Sequence, residues 1–381
     1  MGLIIPSGKK IWTQPNRPMM PLEIRELYES GHVGAGTDPA ARESFRDFLT
    51  SSGGNPNGDE VAYSAGYVGS SEGVLTLNFV RVIDALDENP WPGLAQEQGD
   101  CTIHGDKNSN LLTYGVEVSA GLPDEVTGEV EGKPSYVSTD GIRNGGFSPS
   151  PTWWWKWLVD GGGDGWSCAS AAEATMKEIG IWFAAKYQDL GIDLTTYSRS
   201  LNAKYGRSGP PKNILDIGRK HLIRTGTELD GWEMIADYLA QGKGVNSCGD
   251  QAWSDTRDEN GYSPTTRGSW SHSEAVLDSD RRPWIAKRYK FSCLILMMNS
   301  WAVWNGGPRD IYDSAQFVPS HKRKRWIELD LVNPQTGNIM IPKGSYWIDA
   351  REMDSRYAIA KAGVSGWSKP KLPDWGGSLA G

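Results

Sequence analysis

The run Phe291-Ser-Cys-Leu-Ile-Leu-Met-Met298 passes directly into the turn Asn299-Ser-Trp301, and the reading of the whole chain hangs on that junction. A short, almost unbroken apolar run of this kind describes a buried strand. Upstream, Trp270-Ser-His-Ser-Glu-Ala-Val-Leu277 places His272 just ahead of a second apolar stretch, and downstream Gly344-Ser-Tyr-Trp-Ile-Asp349 reads as a further strand bounded by turns. Toward the N-terminus the pattern becomes helical. A helix is expected at about 231–241 after Asp230. A strong Ala-rich one is expected at about 168–187, with Met176, Ile179, Phe183 and Ala184 at helical spacing, and a moderately helical stretch at about 108–120. Helices first and strands later predict an α+β protein with two lobes, a helical one followed by an antiparallel β one.

A third segment, Gln96-Glu-Gln-Gly-Asp-Cys101, completes a set of groups suited to nucleophilic catalysis. Such chemistry needs a thiolate, an imidazole to hold and shuttle the proton, a side chain to fix the imidazole plane, and donors for the oxyanion. Cys101 is the candidate nucleophile, His272 the general base and acid, and Asn299 the acceptor that holds the imidazole N–H, with Trp301 shielding that bond from water. Cys168 competes for the nucleophile's role, because it opens the strongest helix and a helix N-terminus favours a thiolate. No Gln occurs between Gln98 and Cys168 to supply an oxyanion donor for it. Cys248 and Cys293 read as buried apolar residues. Asp100, next to Cys101, disfavours the thiolate.

These segments resemble the papain family, whose active-site cysteine follows a Gln-Gly segment, whose His precedes a buried strand and whose Asn lies in an Asn-Ser-Trp turn. The order Cys, His, Asn is also that family's. The resemblance spans roughly residues 88–350. It implies a papain-like two-lobe fold, a peptide or protein substrate, and hydrolysis of a peptide or isopeptide bond through an acyl-enzyme. It makes Gln96 the oxyanion donor, set one residue nearer the nucleophile than in the family, with Gln98 as the alternative. Strict alignment on Gln-Gly-x-Cys instead puts His104 at the nucleophile position. Gly161-Gly-Gly-Asp-Gly-Trp166 and the helix after it, ending near Gly180-Ile181, resemble the glycine-rich substrate strand and its helix, so Gly163, Gly165 and Trp166 are expected to bind substrate. Papain-like proteins of bacteriophages share the look of Arg281-Arg-Pro283 and Leu372-Pro-Asp-Trp375, which brings in a virion structural protein that keeps the fold for docking.

Composition sets the remaining bounds. The chain has 381 residues, 38% hydrophobic and 23% charged, with no apolar stretch approaching the length of a membrane span. A formal charge of -8 argues against broad nucleic-acid affinity, and the basic run His321-Lys-Arg-Lys-Arg325 reads as a solvated loop. Four scattered cysteines without CxxC spacing indicate neither a disulfide scaffold nor a zinc site, and no cofactor or metal is expected. Residues 1–22, with Pro6, Pro15, Pro18 and Pro21, suit an extended arm that reaches other proteins, virion components among them. Short helices follow at about 22–30 and 40–49, then a break at Ser51-Ser-Gly-Gly-Asn-Pro-Asn-Gly58 and a strand-like Val74-Leu-Thr-Leu-Asn-Phe-Val80. The expected organisation is an arm and accessory segment at 1–87, the papain-like domain at 88–362 and a tail at 363–381. The start lacks the order of a secretion signal, so a cytoplasmic or virion location is expected. Among 18 Trp, the run Trp153-Trp-Trp-Lys-Trp157 lies between two loop-like stretches and suits either local packing or a partner-binding patch. A glycan-acting protein that uses surface Trp lacks a matching carboxylate pair.

Overall fold

The computed structural model describes residues 75–86, 91, 96–119, 129–130, 133–134, 146–161, 165–166, 168–254, 256–300, 310–312, 324, 326–328, 331–335, 339–342 and 344–364. The expected arm, the helices at 22–30 and 40–49, the segment 372–375 and, apart from Lys324, the basic run at 321–325 lie outside the described residues.

The architecture is mixed α+β. Helices α1 (Asn78–Leu86), α2 (Cys101–Ser119), α3 (Ser150–Asp160) and α4 (Cys168–Glu173) precede a six-stranded sheet. Its strands are β1 (Ile223–Leu229), β2 (Val245–Trp253), β3 (Thr265–Asp280), β4 (Leu294–Met298), β5 (Ser345–Asp349) and β6 (Tyr357–Val364), with helix α5 (Gly231–Ala240) between β1 and β2. Every pairing is antiparallel and the spatial order is β5-β4-β3-β2-β6-β1.

Strand β4 shows why its sequence is apolar throughout. Leu294, Leu296 and Met298 join the core that also holds Leu277, Leu111 and Phe79, while Ile295 and Met297 join the core on the other face with Ile235, Val276 and Tyr346. A strand with helices on both sides has no polar face to show. Helix α2 packs on β3, β2 and β6. It carries two glycines where contact is closest: a Cβ on Gly105 would sit 2.5 Å from Asn246 Oδ1 and 2.8 Å from Ser273 Oγ, and one on Gly115 would sit 2.6 Å from Val82 Cγ1. The lower helix propensity of glycine is offset by that close approach. Across this seam the buried ammonium of Lys361 on β6 pairs with Asp106 on α2, and it also donates to Thr175 Oγ1 at 3.1 Å.

Several local expectations are corrected. The strand-like 74–80 forms one bridge, Leu75 to Asp280, and then turns into α1. Asp278 on β3 takes that helix's first N–H groups, from Asn78 at 2.5 Å and Phe79 at 3.3 Å, so capping by a distant carboxylate overrides β propensity. Leu77, Phe79 and Ile83 are thereby packed into the main core, N-terminal of the boundary expected at residue 88. The helix expected at 168–187 is shorter: α4 continues as a π turn, Ala174–Glu178, closed by Ile179 N–H to Ala174 O at 2.9 Å, and then stops. The Trp153–Trp157 run lies in helix α3, which begins inside the flanking stretch read as loop, at Ser150. Trp154 is buried with its indole N–H on Asn202 Oδ1 at 3.2 Å, and Trp153 joins the same core with Trp166 and Trp182. Cys168 and Cys248, with Cα atoms 6.5 Å apart, form a disulfide between α4 and β2, so Cys248, read as a buried apolar residue, is buried but bridged. No CxxC spacing announced that bridge, since its partners are 80 residues apart.

Candidate active site

Cys101 is the first residue of α2, the longest described helix, and the Asp100 carbonyl opens the helix by accepting from Ile103 and His104 N–H at 3.0 and 3.2 Å. The Cys101 thiol is buried. The backbone N–H of Ser273, which immediately follows His272 on β3, is near enough to favour its thiolate. His272 Nε2 lies 3.0 Å from Asn299 Oδ1, just beyond the end of β4. The imidazole–amide pair is therefore closed, and the thiol lies close to the strand that carries the imidazole. Adjacent strands β3 and β4 bring His272 and Asn299 together across 27 residues of sequence.

Gln96 is fixed to the same turn. Its N–H donates to Ser300 O at 2.8 Å, Ser300 Oγ donates to its Oε1, and its Nε2 reaches Gln98 O at 3.0 Å. Gln98 points elsewhere, with Nε2 on Tyr197 OH at 2.9 Å. Gly165 donates its N–H to Gly99 O at 2.6 Å, and Trp166 O accepts from Thr102 Oγ1 at 3.0 Å, so this glycine segment lies against the start of α2. Gly165 needs its lack of a side chain, with φ at 84°. Gly163 and Trp301 lie outside the described residues.

The alternatives for the nucleophile separate clearly. Cys168 does begin a helix, but its sulfur is spent in the bridge to Cys248, and both sulfurs lie 3.4 Å from Ser273 Oγ. His104 is an interior residue of α2, buried edge-on to Tyr197 with ring centroids 4.9 Å apart. Its Nε2 is 3.7 Å from Asp100 Oδ2, yet burial, helped by Lys107 and His272, holds the ring well below the usual histidine range and neutral. Cys293 is buried and its thiol is pushed up to about 12 by that burial.

Electrostatics at the site favour neutral partners at rest. Burial raises the Cys101 thiol to about 11, the Asp100 carboxylate adds to the rise, and the Ser273 N–H opposes it. Burial also lowers the basicity of His272, against the pull of Glu274 and of the Asn299 hydrogen bond. A neutral thiol and a neutral imidazole are the forms these surroundings select.

Sequence reasoning did not pick out Ser273, Ser300, the bridge or the buried group Glu274, Tyr346 and Arg356. Arg356 Nε donates to Ser247 Oγ at 2.7 Å, its Nη2 lies 3.5 Å from Glu274 Oε2, and Tyr346 OH donates to Glu274 Oε1. Glu274 in an apolar strand was the one available signal, because a carboxylate there requires partners. Among the described residues, no group of three or more His, Cys, Asp or Glu is gathered as a metal site, and no helix is long and apolar enough to cross a membrane.

No family model and no curated protein sequence matches the chain. Among solved structures it is similar to the clostridial cysteine protease Cwp84 after propeptide cleavage, at 14% identity and a TM-score of 0.42, covering 74% of this chain and 57% of that one. It is also similar to xylellain, a cysteine protease from Xylella fastidiosa, at 10% identity and a TM-score of 0.37, covering 70% of this chain and 80% of that one. The chain thus spans little more than half the length of the Cwp84 chain.

Proposed function

We propose that this chain is a papain-like thiol peptidase that cleaves a peptide or isopeptide bond through an acyl-enzyme on Cys101. The observation that carries this reading is the connection of Cys101, through the Ser273 N–H, to a His272 already held by Asn299. With Nε2–H directed at Asn299, the other imidazole nitrogen is the base. It takes the thiol proton as the sulfur attacks the carbonyl carbon. The developing oxyanion is met by the backbone N–H of Cys101, which as a first-turn group has no partner within its own helix, and by Gln96 Nε2, held by Ser300. The imidazolium then protonates the leaving amine. Water, deprotonated by the same nitrogen, attacks the thioester and restores the thiol.

The test is cleavage of an unfolded protein substrate, followed by mass spectrometry of the fragments. Turnover by the wild type that vanishes in Cys101→Ala and persists in Cys293→Ser supports the reading. Absence of both turnover and a covalent Cys101 adduct with a peptide aldehyde defeats it. One observation favours a second reading, a non-catalytic protein that uses the fold for docking, in a virus particle or another assembly: Cys101, His272 and Asn299 are only 4%, 2% and 3% exposed. Co-purification of an intact partner with the Cys101→Ala protein, without wild-type cleavage of that partner, supports this alternative.

A further inference from the structure

Beneath His272 the β lobe contains charged groups where an apolar core is the rule. Side chains alternate along a strand, so His272, Glu274 and Val276 share one face of β3, while Ser273, whose hydroxyl meets Cys168, Cys248 and Asn246, takes the other. His272 and Glu274 are therefore roughly 7 Å apart along that face, from the rise of about 3.3 Å per residue. Glu274 is fully buried, and it is anchored by Tyr346 on β5 and by Arg356, which precedes β6. Arg356 is anchored in turn by Ser247 and lies over the Trp253 ring, 4.8 Å from its centroid. A pair this expensive to bury calls for a reason beyond stability, since an apolar pair of similar volume would commonly do as well.

We propose that Glu274 is a positioning residue for His272, its carboxylate fixed by Tyr346 and Arg356 so as to stabilise the imidazolium that forms when the Cys101 proton is taken up. The inference rests on the peptidase reading for its role in turnover, though not for its electrostatics. The groups that act on His272 are Glu274 on its own strand and Arg356 ahead of β6, with Asn299 after β4 as its hydrogen-bond partner and His104 on α2 within electrostatic reach; Gly249 lies across from it on β2. Cys101 and His104 are neutral at rest, and Cys248 is disulfide-bonded. Among the charges that act on His272, Glu274 outweighs Arg356 and is the one that favours the cation. Arg356 holds the carboxylate in place without cancelling it.

The test follows the His272 imidazole by nitrogen NMR across pH in the full-length protein, with its signal assigned by loss in His272→Gln. Glu274→Gln is expected to lower the His272 titration midpoint by about 1–2 pH units, as a charge at this distance in an effective dielectric near 20 implies. Glu274→Asp, which keeps the charge, is expected to restore part of the shift. If Glu274→Gln fails to fold because Arg356 is left buried without its carboxylate, the neutral double variant Glu274→Gln/Arg356→Met carries the test, with a smaller shift in the same direction. A midpoint unchanged in the variant that folds overturns the proposal. Because this readout needs no substrate, a wild type that cleaves nothing while the shift is seen sinks the peptidase reading alone.

Discussion

Raising the pH around the native protein should expose how strongly burial suppresses the Cys101 thiol. With that thiol at about 11 against an ordinary 9.0, folding lowers the thiolate fraction about 100-fold at any pH below both values. A more basic sulfur is intrinsically the better nucleophile, which returns about 6–10-fold over two pH units of basicity. The net expectation is alkylation about 10–15-fold slower than in the unfolded chain from ionisation alone, with restricted access added to it. The assay is iodoacetamide labelling of the Cys101 peptide, read by mass spectrometry, in native and urea-unfolded protein from pH 6 to 11.5. Access scales the whole native curve, whereas ionisation sets its shape, so the shape is decisive. The native rate should climb without levelling until near pH 11, and Asp100→Asn should move the climb to lower pH by removing a like charge. A native rate already level from pH 6 upward refutes the reasoning, because it means that His272 holds the proton at rest and the ion pair overcomes burial.

Three further outcomes follow from the seam between helix and sheet and from the buried histidines. Gly105→Ala should destabilise the protein by about 1–3 kcal/mol in urea denaturation despite a gain of about 1 kcal/mol in helix propensity, because the new methyl meets Asn246, Ser273 and the Glu274 N–H; a stabilised variant contradicts this. Lys361→Met should cost about 3–5 kcal/mol by leaving Asp106 buried and unpaired, whereas Lys361→Met/Asp106→Leu should recover most of that loss; equal losses in the single and double variants contradict a coupled pair. His104 and His272 both have lowered proton affinity in the fold, so the unfolded chain binds protons first as pH falls below about 6.5. Their contribution is complete above that value and is lost below it, by up to about 1.4 kcal/mol per pH unit for each ring, and His104→Leu should remove one share of the slope between pH 6.5 and 5.

Much of the β lobe was legible because its information is local. The run 294–298 is apolar on both faces because cores lie on both faces, and the Asn299 turn follows the strand end as the sequence suggests. Of the candidate site residues, Gln96, Cys101 and Asn299 lie in loops or at element ends, where short segments show their character, whereas His272 lies within β3. What stayed hidden depends on partners far along the chain. Nothing around Asn78 tells that Asp278 will turn an apolar, β-prone stretch into a helix. The Trp153–Trp157 run gave no helical signal beyond its own bulk, and only the packing of Trp154 on Asn202 and Tyr205 explains why it coils. The Cys168–Cys248 bridge and the Glu274–Arg356 pair are likewise choices made by strand order, which no single segment encodes.

The capping of α1 by Asp278 carries a consequence for how the molecule is made. Residue 78 leaves the ribosome 200 positions before its carboxylate partner does, about 10–40 s at ordinary elongation rates of about 5–20 residues per second. Throughout that interval the helix has no cap and no sheet to lie on, and its apolar side chains stay available to chaperones. Nascent chains halted short of β3 should therefore be recognised as unfolded from residue 75 onward, however well their middle helices have formed.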